Sequence, residues 1–253
     1  MWKKLGAGLA ALVLCAGLTG CSGSKEYGEM KAAQEAVLSL TGGKLVMTAG
    51  YEKPGGSDRI VTEFVFRLTE AGTYSYCQTQ FDRNNKPVYC EFSDGQKTEQ
   101  WLIGKGWSDI NAALYTPDEP HRYLQVLSTP LDKKAVRAIT VTDEAGNRRY
   151  DAEMDPSRLN ETVYTDGASE LLEETVSLLL SDAGELLCYN DEARIRDVEM
   201  DEEDYYTLEM QLSEANMVTE IARPELRGYG TDNAASAGAP ETADTSADLD
   251  AGK

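Results

Sequence analysis

Apolar and polar residues alternate with a period of two along much of the chain, which is the pattern of β-strands with one buried face. The clearest run lies at 206–213, where Tyr, Leu, Met and Leu alternate with polar residues. Turns containing glycine or asparagine separate such runs, so the sequence predicts an antiparallel meander. Segment 175–180 also fits a helix, but the turn that follows it favours a hairpin with 186–190. The predicted strands are 45–51, 59–68, 73–80, 88–92, 97–103, 136–142, 148–154, 175–180, 186–190 and 206–213.

Three segments repeat apolar residues at helical spacing instead. Residues 29–40 carry a stripe of Met, Ala, Val and Leu, and two glycines follow it, which predicts a core-facing helix and its end. Residues 119–127 predict a short helix with Pro120 in its first turn. A further helical piece surrounds Leu159. Residues 104–116 are predicted to be a loop or crossing segment centred on Trp107.

The N-terminus predicts export. Lys3 and Lys4 precede an apolar run at 5–18 that is shorter than the roughly 20 residues a membrane-spanning helix needs. The run ends in Leu18-Thr19-Gly20-Cys21, which resembles the lipobox of bacterial lipoproteins. That resemblance implies cleavage before Cys21 and a diacylglyceryl (palmitate-type) anchor on its sulfur. The alternative is a simple secretory signal peptide with an incidental cysteine.

The chain therefore divides into a signal peptide at 1–20, a lipidated tether at 21–28, one folded domain at 29–227 and a disordered acidic tail at 228–253. The net charge is −20, and removal of the leader with its two lysines makes it −22. Such acidity argues against nucleic-acid binding and against electrostatic adhesion to anionic lipid. The covalent lipid on Cys21 is then what holds the protein on the membrane.

Three cysteines remain after Cys15 leaves with the leader and Cys21 is lipidated. Cys77 and Cys90 flank a predicted turn and could form a disulfide, which an exported protein permits. The alternative is two half-buried thiols. The spacing of Cys and His residues contains no zinc-binding pattern, and no metal or other cofactor is predicted.

No catalytic arrangement stands out in the sequence. His121 is the only histidine, and nothing marks a nucleophile or an orienting group beside it, so a surface position is favoured. The acidic stretch 197–204 lacks the glycine and spacing of a calcium loop and is expected to be a solvated connection. The prediction is a protein that is not an enzyme, and a hydrolase is the least favoured alternative.

Two sets of aromatic residues could serve binding. Trp101 and Trp107 either line a trough mouth or pack in the core. Tyr74, Tyr76 and Tyr89 could form a ladder across paired strands, which is a binding surface if it is exposed and structural if it is buried.

The order of elements resembles the lipoprotein-carrier (LolA/LolB-like) fold, in particular the surface lipoproteins of Gram-positive bacteria. The likeness covers about 29–227 and is carried by the lipobox at 18–21, the helix at 29–40, Gln-Trp-Leu-Ile at 100–103 with Gly106-Trp107, and Ser-Asp-Ala-Gly-Glu-Leu at 181–186. It implies an α+β fold, in which a strongly curved antiparallel sheet forms an incomplete barrel with helices on its concave side.

The function expected from this resemblance is a lipid-anchored module on the extracytoplasmic face of the cell membrane. Its trough would hold a hydrophobic or amphipathic ligand such as a lipid. The alternative is an interaction or accessory module of the cell envelope that binds no small ligand, with protein partners that the sequence does not identify.

Overall fold

The computed structural model of this protein describes residues 23–110, 119–165 and 167–226. These residues form three helices and eleven strands, and most of the strands follow one another as hairpins. The helices are α1 (Gly23–Val37), α2 (Glu119–Ser128) and α3 (Pro156–Thr162). The strands are β1 (Gly42–Lys53), β2 (Gly56–Leu68), β3 (Tyr74–Phe81), β4 (Pro87–Ser93), β5 (Thr98–Leu102), β6 (Gly106–Asp109), β7 (Val136–Glu144), β8 (Asn147–Met154), β9 (Ser169–Leu180), β10 (Leu186–Asp197) and β11 (Glu202–Ser213).

All eleven strands belong to one antiparallel sheet. Its order is β6-β5-β4-β3-β2-β1-β11-β10-β9-β8-β7, so two meanders are joined where the first strand pairs with the last. Strands β6 and β7 form the two edges and are not paired with each other, which leaves the sheet open rather than closed into a barrel. The predicted fold class, an incomplete antiparallel barrel with helices, is confirmed.

One face of the sheet, here called the inner face, packs against the helices. Leu45 of β1 lies opposite Phe64 of β2 and Leu212 of β11, and all three side chains are buried. Helix α1 contributes Met30 to the same core, and α2 contributes Leu127. Every described helix and strand therefore belongs to this sheet or packs on it.

Polar contacts tie the helices to the sheet and to each other. The hydroxyl of Tyr150, on β8, donates a 2.6 Å hydrogen bond to Glu29 on α1. Gln34 of α1 donates to the carbonyl of Thr129 after α2, and Tyr27 donates to the carbonyl of Leu131. These bonds fix α1 on the half of the sheet that is formed by the C-terminal meander.

Helix α1 begins at Gly23 rather than at the predicted residue 29 and ends at Val37 rather than at 40. Residues 23–28, predicted as a polar tether, are therefore helical. They contain no proline, and Glu26 in the first turn interacts favourably with the helix dipole. Few apolar residues occur in this stretch, so the period-3.6 signal that marks the rest of the helix is missing there.

Several strands are longer than predicted. Strand β9 begins at Ser169 rather than 175, and β10 continues to Asp197 rather than 190. Acidic and basic side chains face each other across these ends, as Arg194 does with Glu173 and Glu203. Backbone pairing and these cross-strand ion pairs extend the strands through residues that lack apolar alternation. Segment 175–180 is a strand, as the sequence favoured.

Trp107 lies on strand β6, so the loop or crossing segment predicted at 104–116 is corrected for residues 106–109. The segment 214–226 after β11 runs over the outer face of the sheet. Arg67 of β2 donates to the carbonyl of Thr219, and the guanidinium of Arg223 makes an ion pair with Glu99 of β5. The same guanidinium lies 5.2 Å above the ring of Trp107.

Candidate ligand site at the exposed end of the inner face

Burial of the inner face falls steeply from one end of the sheet to the other. On β2, Phe64 is 1% exposed whereas Ile60 is 48% exposed. On β11, Met210 is 0% exposed whereas Tyr206 is 39% exposed. Within each strand the two side chains are separated by an even number of residues, so they point to the same face. Ala49 of β1 pairs with both Ile60 of β2 and Leu208 of β11, so this face is the inner face on both strands. Apolar side chains thus continue along the inner face beyond its buried part.

These exposed positions form one continuous surface. Tyr51 of β1 pairs with Tyr206 of β11, and Ala49 of β1 lies between Ile60 of β2 and Leu208 of β11. Together with Met47 they are named the exposed patch. Ala49, Met47, Tyr51 and Leu208 are half-buried. A contiguous apolar surface of this kind, unlike a single exposed side chain, marks a binding surface.

Two tyrosines give the patch a polar end. The rings of Tyr51 and Tyr206 have centroids 4.8 Å apart, and the Tyr51 hydroxyl donates a 2.7 Å hydrogen bond to Asp204. This bond to the carboxylate raises the pKa of Tyr51 well above its usual range. The ammonium group of Lys53 lies 5.6 Å from the Tyr51 ring centroid. The patch therefore ends in two tyrosine hydroxyls, the carboxylate of Asp204 and the ammonium group of Lys53, and such a polar end beside apolar side chains suits an amphipathic ligand.

A cavity of about 690 Å³ adjoins the patch and shares Tyr51 and Ile60 with it. It exists because β2 is longer than its neighbour: pairing with β3 begins only at Val61 opposite Phe81, so residues 56–60 protrude with β1. Its volume lies within the range of small-molecule sites. We call it the notch. It is lined by Tyr51, Lys53, Gly56, Ser57, Asp58, Arg59, Ile60, Gln80, Phe81, Asp82, Arg83, Asn84 and Val88.

Two inner-face carboxyls lie on the other side of the patch, on β9 and β10. Burial, with a smaller contribution from Asp191, raises the pKa of Glu174 to about 7. Burial also raises the pKa of Asp191, even though Tyr189 donates a hydrogen bond to it. Tyr164, which follows α3, interacts electrostatically with both carboxyls and with Tyr206. A carboxyl with such a pKa is largely uncharged in mildly acidic solution, which favours an apolar neighbour.

The tyrosines of the predicted ladder lie on the inner face. Tyr76 and Tyr89 both donate hydrogen bonds to the carboxylate of Glu91, which is only 3% exposed. Tyr74 packs at the margin of the core, 6.2 Å from the ring of Phe66. Of the three, Tyr76 is fully buried, so the ladder is mainly structural.

The two tryptophans lie on the outer face. Trp101 is 3% exposed and lies between Cys90 on β4 and Trp107 on β6 in the pairing register. Neighbouring residues such as Gln100 take the inner face. Both side chains therefore lie away from the exposed patch, with Trp101 buried and Trp107 half-buried beneath Arg223.

Cys77 and Cys90 are also on the outer face, and both are free thiols. Their sulfur atoms lie 3.8 Å apart, although the register places Cys77 opposite Phe92 and Cys90 opposite Thr79. The thiol pair is therefore diagonal. A hydrogen bond between the sulfurs lowers the pKa of Cys77 and raises that of Cys90. A disulfide here stays a prediction.

Several predictions fall outside the described residues: the signal peptide, the lipobox residues Leu18, Thr19 and Gly20 with the lipidated Cys21, the side chain of His121 and the tail at 228–253. Among the residues that are described, no helix has the length and apolarity to cross a bilayer. Within the same part of the chain, no three His, Cys, Asp or Glu side chains are grouped so that they could hold a metal ion.

An open antiparallel sheet with helices on one face, an incomplete barrel, is the fold class that the described residues define, and an apolar patch is exposed beyond the helices. No protein-family model matches the sequence, and no curated protein sequence matches it significantly. Solved structures to which the chain is similar include LprF from Mycobacterium bovis, with 13% identity, a TM-score of 0.44, and 79% of this chain and 97% of that chain covered. The lipoprotein LppX from Mycobacterium tuberculosis has 12% identity and a TM-score of 0.42, with 79% and 100% covered. A LolA superfamily protein from Nitrosomonas europaea has 7% identity and a TM-score of 0.28, with 77% and 94% covered.

Proposed function

We propose that this protein is a lipid-anchored, non-catalytic binding module of the cell envelope that holds a hydrophobic or amphipathic ligand on the exposed patch. The observation that carries the proposal is the contiguity of Tyr51, Ile60 and Tyr206 with a cavity of about 690 Å³. The buried end of the same face supplies the rigidity that keeps the patch in place.

The anchor places such a site close to its source of ligand. If Cys21 carries the lipid, only Ser22 separates it from Gly23, the first residue of α1. Two residue steps span at most about 7 Å. A domain held this close to the bilayer encounters membrane lipids at high local concentration, which favours a ligand of that chemistry. The extracytoplasmic face of the cell membrane is the location we propose.

Organic extraction of the purified native protein, followed by mass spectrometry, tests the proposal directly. We expect a co-purifying amphiphile in addition to the lipid attached to Cys21. In parallel, displacement of a fluorescent fatty acid from residues 22–253 measures binding in solution. The variant Ile60→Asn should weaken binding because it places an amide in the apolar patch. A clean extract together with no binding of the fatty acid would refute the proposal.

Val141→Asn provides the matched control. Val141 lies on the inner face of β7 at the far edge of the sheet, and it is 40% exposed, close to the value for Ile60. Its replacement introduces the same amide on the same face but outside the patch, so fatty-acid affinity should be unchanged. Equal losses in both variants would indicate a general effect on the sheet rather than a local site.

A second candidate is an envelope accessory module without a small ligand. It is favoured by the close packing beneath the helices, where Phe64, Tyr150 and Leu178 are almost inaccessible. Under this alternative the exposed patch would contact a protein. Cross-linking from a photoreactive residue at position 60 in intact cells separates the two, since a lipid adduct supports the first candidate and a discrete protein adduct supports the second.

A further inference from the structure

Three basic residues line the notch of a strongly acidic protein. Lys53 ends β1, Arg59 lies on the protruding part of β2, and Arg83 lies in the turn between β3 and β4. Lys53 and Arg59 belong to the same hairpin, and Arg83 follows in the turn after β3. The protrusion of that hairpin past β3 places all three residues at one cavity. The chain as a whole has a net charge of −20.

The basic residues of the notch differ from most others in the molecule. Across the described residues, many cations are neutralised by carboxylates, as Arg196 is by Glu170. In the same part of the chain, Lys53, Arg59 and Arg83 form no ion pair. The charged groups that line the notch are three cations and two carboxylates, Asp58 and Asp82, so the lining has a net charge of +1 in a chain whose net charge is −20.

The carboxylates that line the notch are occupied by the backbone. Asp58 accepts a 2.8 Å hydrogen bond from the N–H of Arg59. Asp82 accepts from the N–H groups of Asn84 and Lys86, at 2.8 and 2.9 Å, and these bonds hold its pKa below the usual range. Both carboxylates thus bind backbone N–H groups of the hairpin and the turn, and neither forms an ion pair with Lys53, Arg59 or Arg83.

We propose that the notch is a subsite for an anionic headgroup, specifically a phosphate or phosphodiester, of the amphipathic ligand whose chain lies on the exposed patch. Guanidinium groups bind phosphate oxygens with paired hydrogen bonds, and the ammonium of Lys53 adds a third charge. Tyr51 and Ile60 belong to both the notch and the patch, and Lys53 shares their face. Arg59, which is next to Ile60 on β2, reaches the notch from the outer face, so the headgroup would lie at the ends of the strands and its chain on the inner face. This inference rests on the proposed function and names the class of ligand.

Isothermal titration calorimetry on residues 22–253 tests the inference with three probes below their critical micelle concentrations. The probes are dodecyl phosphate, dodecyl maltoside and inorganic phosphate. We expect dodecyl phosphate to bind most tightly, with an affinity that falls as salt is added. The uncharged probe should bind more weakly, and inorganic phosphate should bind weakly or not at all because it lacks the chain. Titration with vesicles that contain anionic phospholipid then tests whether a headgroup within a bilayer is recognised in the same way.

The double variant Arg59→Gln/Arg83→Gln should reduce the affinity for dodecyl phosphate about tenfold or more, since hydrogen bonds to charged groups are lost. Its affinity for dodecyl maltoside should not change. The control Lys133→Gln/Lys134→Gln removes the same charge before β7, at the opposite edge of the sheet, and should leave both affinities unchanged.

The outcomes distinguish the two proposals. If dodecyl maltoside and dodecyl phosphate bind equally and the arginine variant behaves like wild type, the headgroup subsite is refuted while the hydrophobic site stands. If neither alkyl probe binds, the proposed function fails together with the subsite. If the lysine control weakens phosphate binding as much as the arginine variant, the preference reflects net charge and the notch is not its cause.

Discussion

The hydrogen bond between Tyr150 and Glu29 should stabilise the attachment of α1 to the sheet, and the variant Tyr150→Phe measures it. The Tyr150 side chain is fully buried, and its hydroxyl lies 2.6 Å from the Glu29 carboxylate. Arg148 lies 3.4 Å from the same carboxylate. The substitution removes only the hydroxyl and leaves the ring, so packing in the core is nearly unchanged.

The size of the effect follows from the environment of the bond. A hydrogen bond to a charged group contributes about 1.5 to 3 kcal/mol when buried. The Glu29 side chain is 29% exposed, so water replaces part of the lost bond and we expect a loss of about 1 to 2 kcal/mol. For a domain of this size, that loss lowers Tm by about 2 to 8 °C.

The bond also makes the difference in unfolding free energy between the wild type and Tyr150→Phe depend on pH. The Tyr150 hydroxyl is the main cause that lowers the pKa of Glu29, while burial raises the pKa of Tyr150 to about 12, so the phenol remains a donor throughout. A carboxyl with a lowered pKa in the folded state contributes its stability above the pKa of the unfolded chain. The difference in stability between the wild type and Tyr150→Phe should therefore reach its full size above about pH 4.5, and it should decline as the pH falls through the pKa of Glu29 in the folded protein.

Urea unfolding at pH 7 and at pH 3, followed by circular dichroism, provides the measurement. Tyr205→Phe is the matched control, because its hydroxyl also bonds a carboxylate, Glu192, but at an exposed position. We expect that control to lose less than about 0.5 kcal/mol. Equal stability of Tyr150→Phe and wild type at pH 7 would contradict the contact between α1 and β8.

Three further predictions concern other buried or partly buried groups. Because burial raises the pKa of Glu174 to about 7 in the folded protein, the stability of the wild type should fall as the pH rises from about 4.5 to 7. At pH 8 the variant Glu174→Gln should be more stable than the wild type by about 1 kcal/mol, whereas Glu173→Gln, at an exposed position, should not be. Thermal denaturation across this pH range measures both effects. Thr62 is buried, and its hydroxyl has no hydrogen-bond partner among the described residues. In urea unfolding, Thr62→Val should therefore be as stable as the wild type or more stable by up to about 1 kcal/mol. A clear loss of stability would mean that a bound water satisfies the hydroxyl in the wild type. Because the sulfurs of Cys77 and Cys90 lie 3.8 Å apart, exchange with a small disulfide reagent should join these two cysteines and leave Cys188 as a free thiol. Peptide mass spectrometry identifies the bridge, and a disulfide that contains Cys188 would contradict this pairing.

Most of the fold was predictable because a half-buried strand has a period-two pattern. Strands β1 to β5 and the strand predicted from Tyr206 follow that pattern, and the structure confirms each of them, whereas β6 was predicted to be a loop. The pattern fails where both faces of a strand are polar, as at the ends of β9 and β10. There the backbone ladder and ion pairs such as that of Arg196 with Glu170 maintain the strand. No apolar alternation marks such ends in the sequence.

The candidate site was harder to predict than the fold. Ile60 and Phe64 occupy equivalent positions in the alternation of β2, yet one is exposed and the other is buried. The difference arises from which part of the face the helices cover, and that depends on contacts distant in sequence. Trp101 and Trp107 seemed better candidates because of their size, but the register turns them to the outer face. The notch depends on the difference in length between adjacent strands, and no motif records it.

The helices cover only part of the inner face, so one part of the sheet serves the stability of the fold and the other part is open to a ligand. Side chains such as Phe64 and Met210 are enclosed by the helices, so their burial stabilises the fold and leaves no space for a ligand. Ile60 and Tyr206 continue the rows of inner-face side chains on β2 and β11 but remain partly exposed to water. Burial of this apolar surface by a ligand or a partner protein would be favourable. Since the exposed rows adjoin the notch, the occupant we propose combines an apolar chain, which covers these rows, with an anionic end, which meets the basic residues of the notch. An uncharged chain would cover the apolar rows but would leave the basic residues of the notch without an anionic partner.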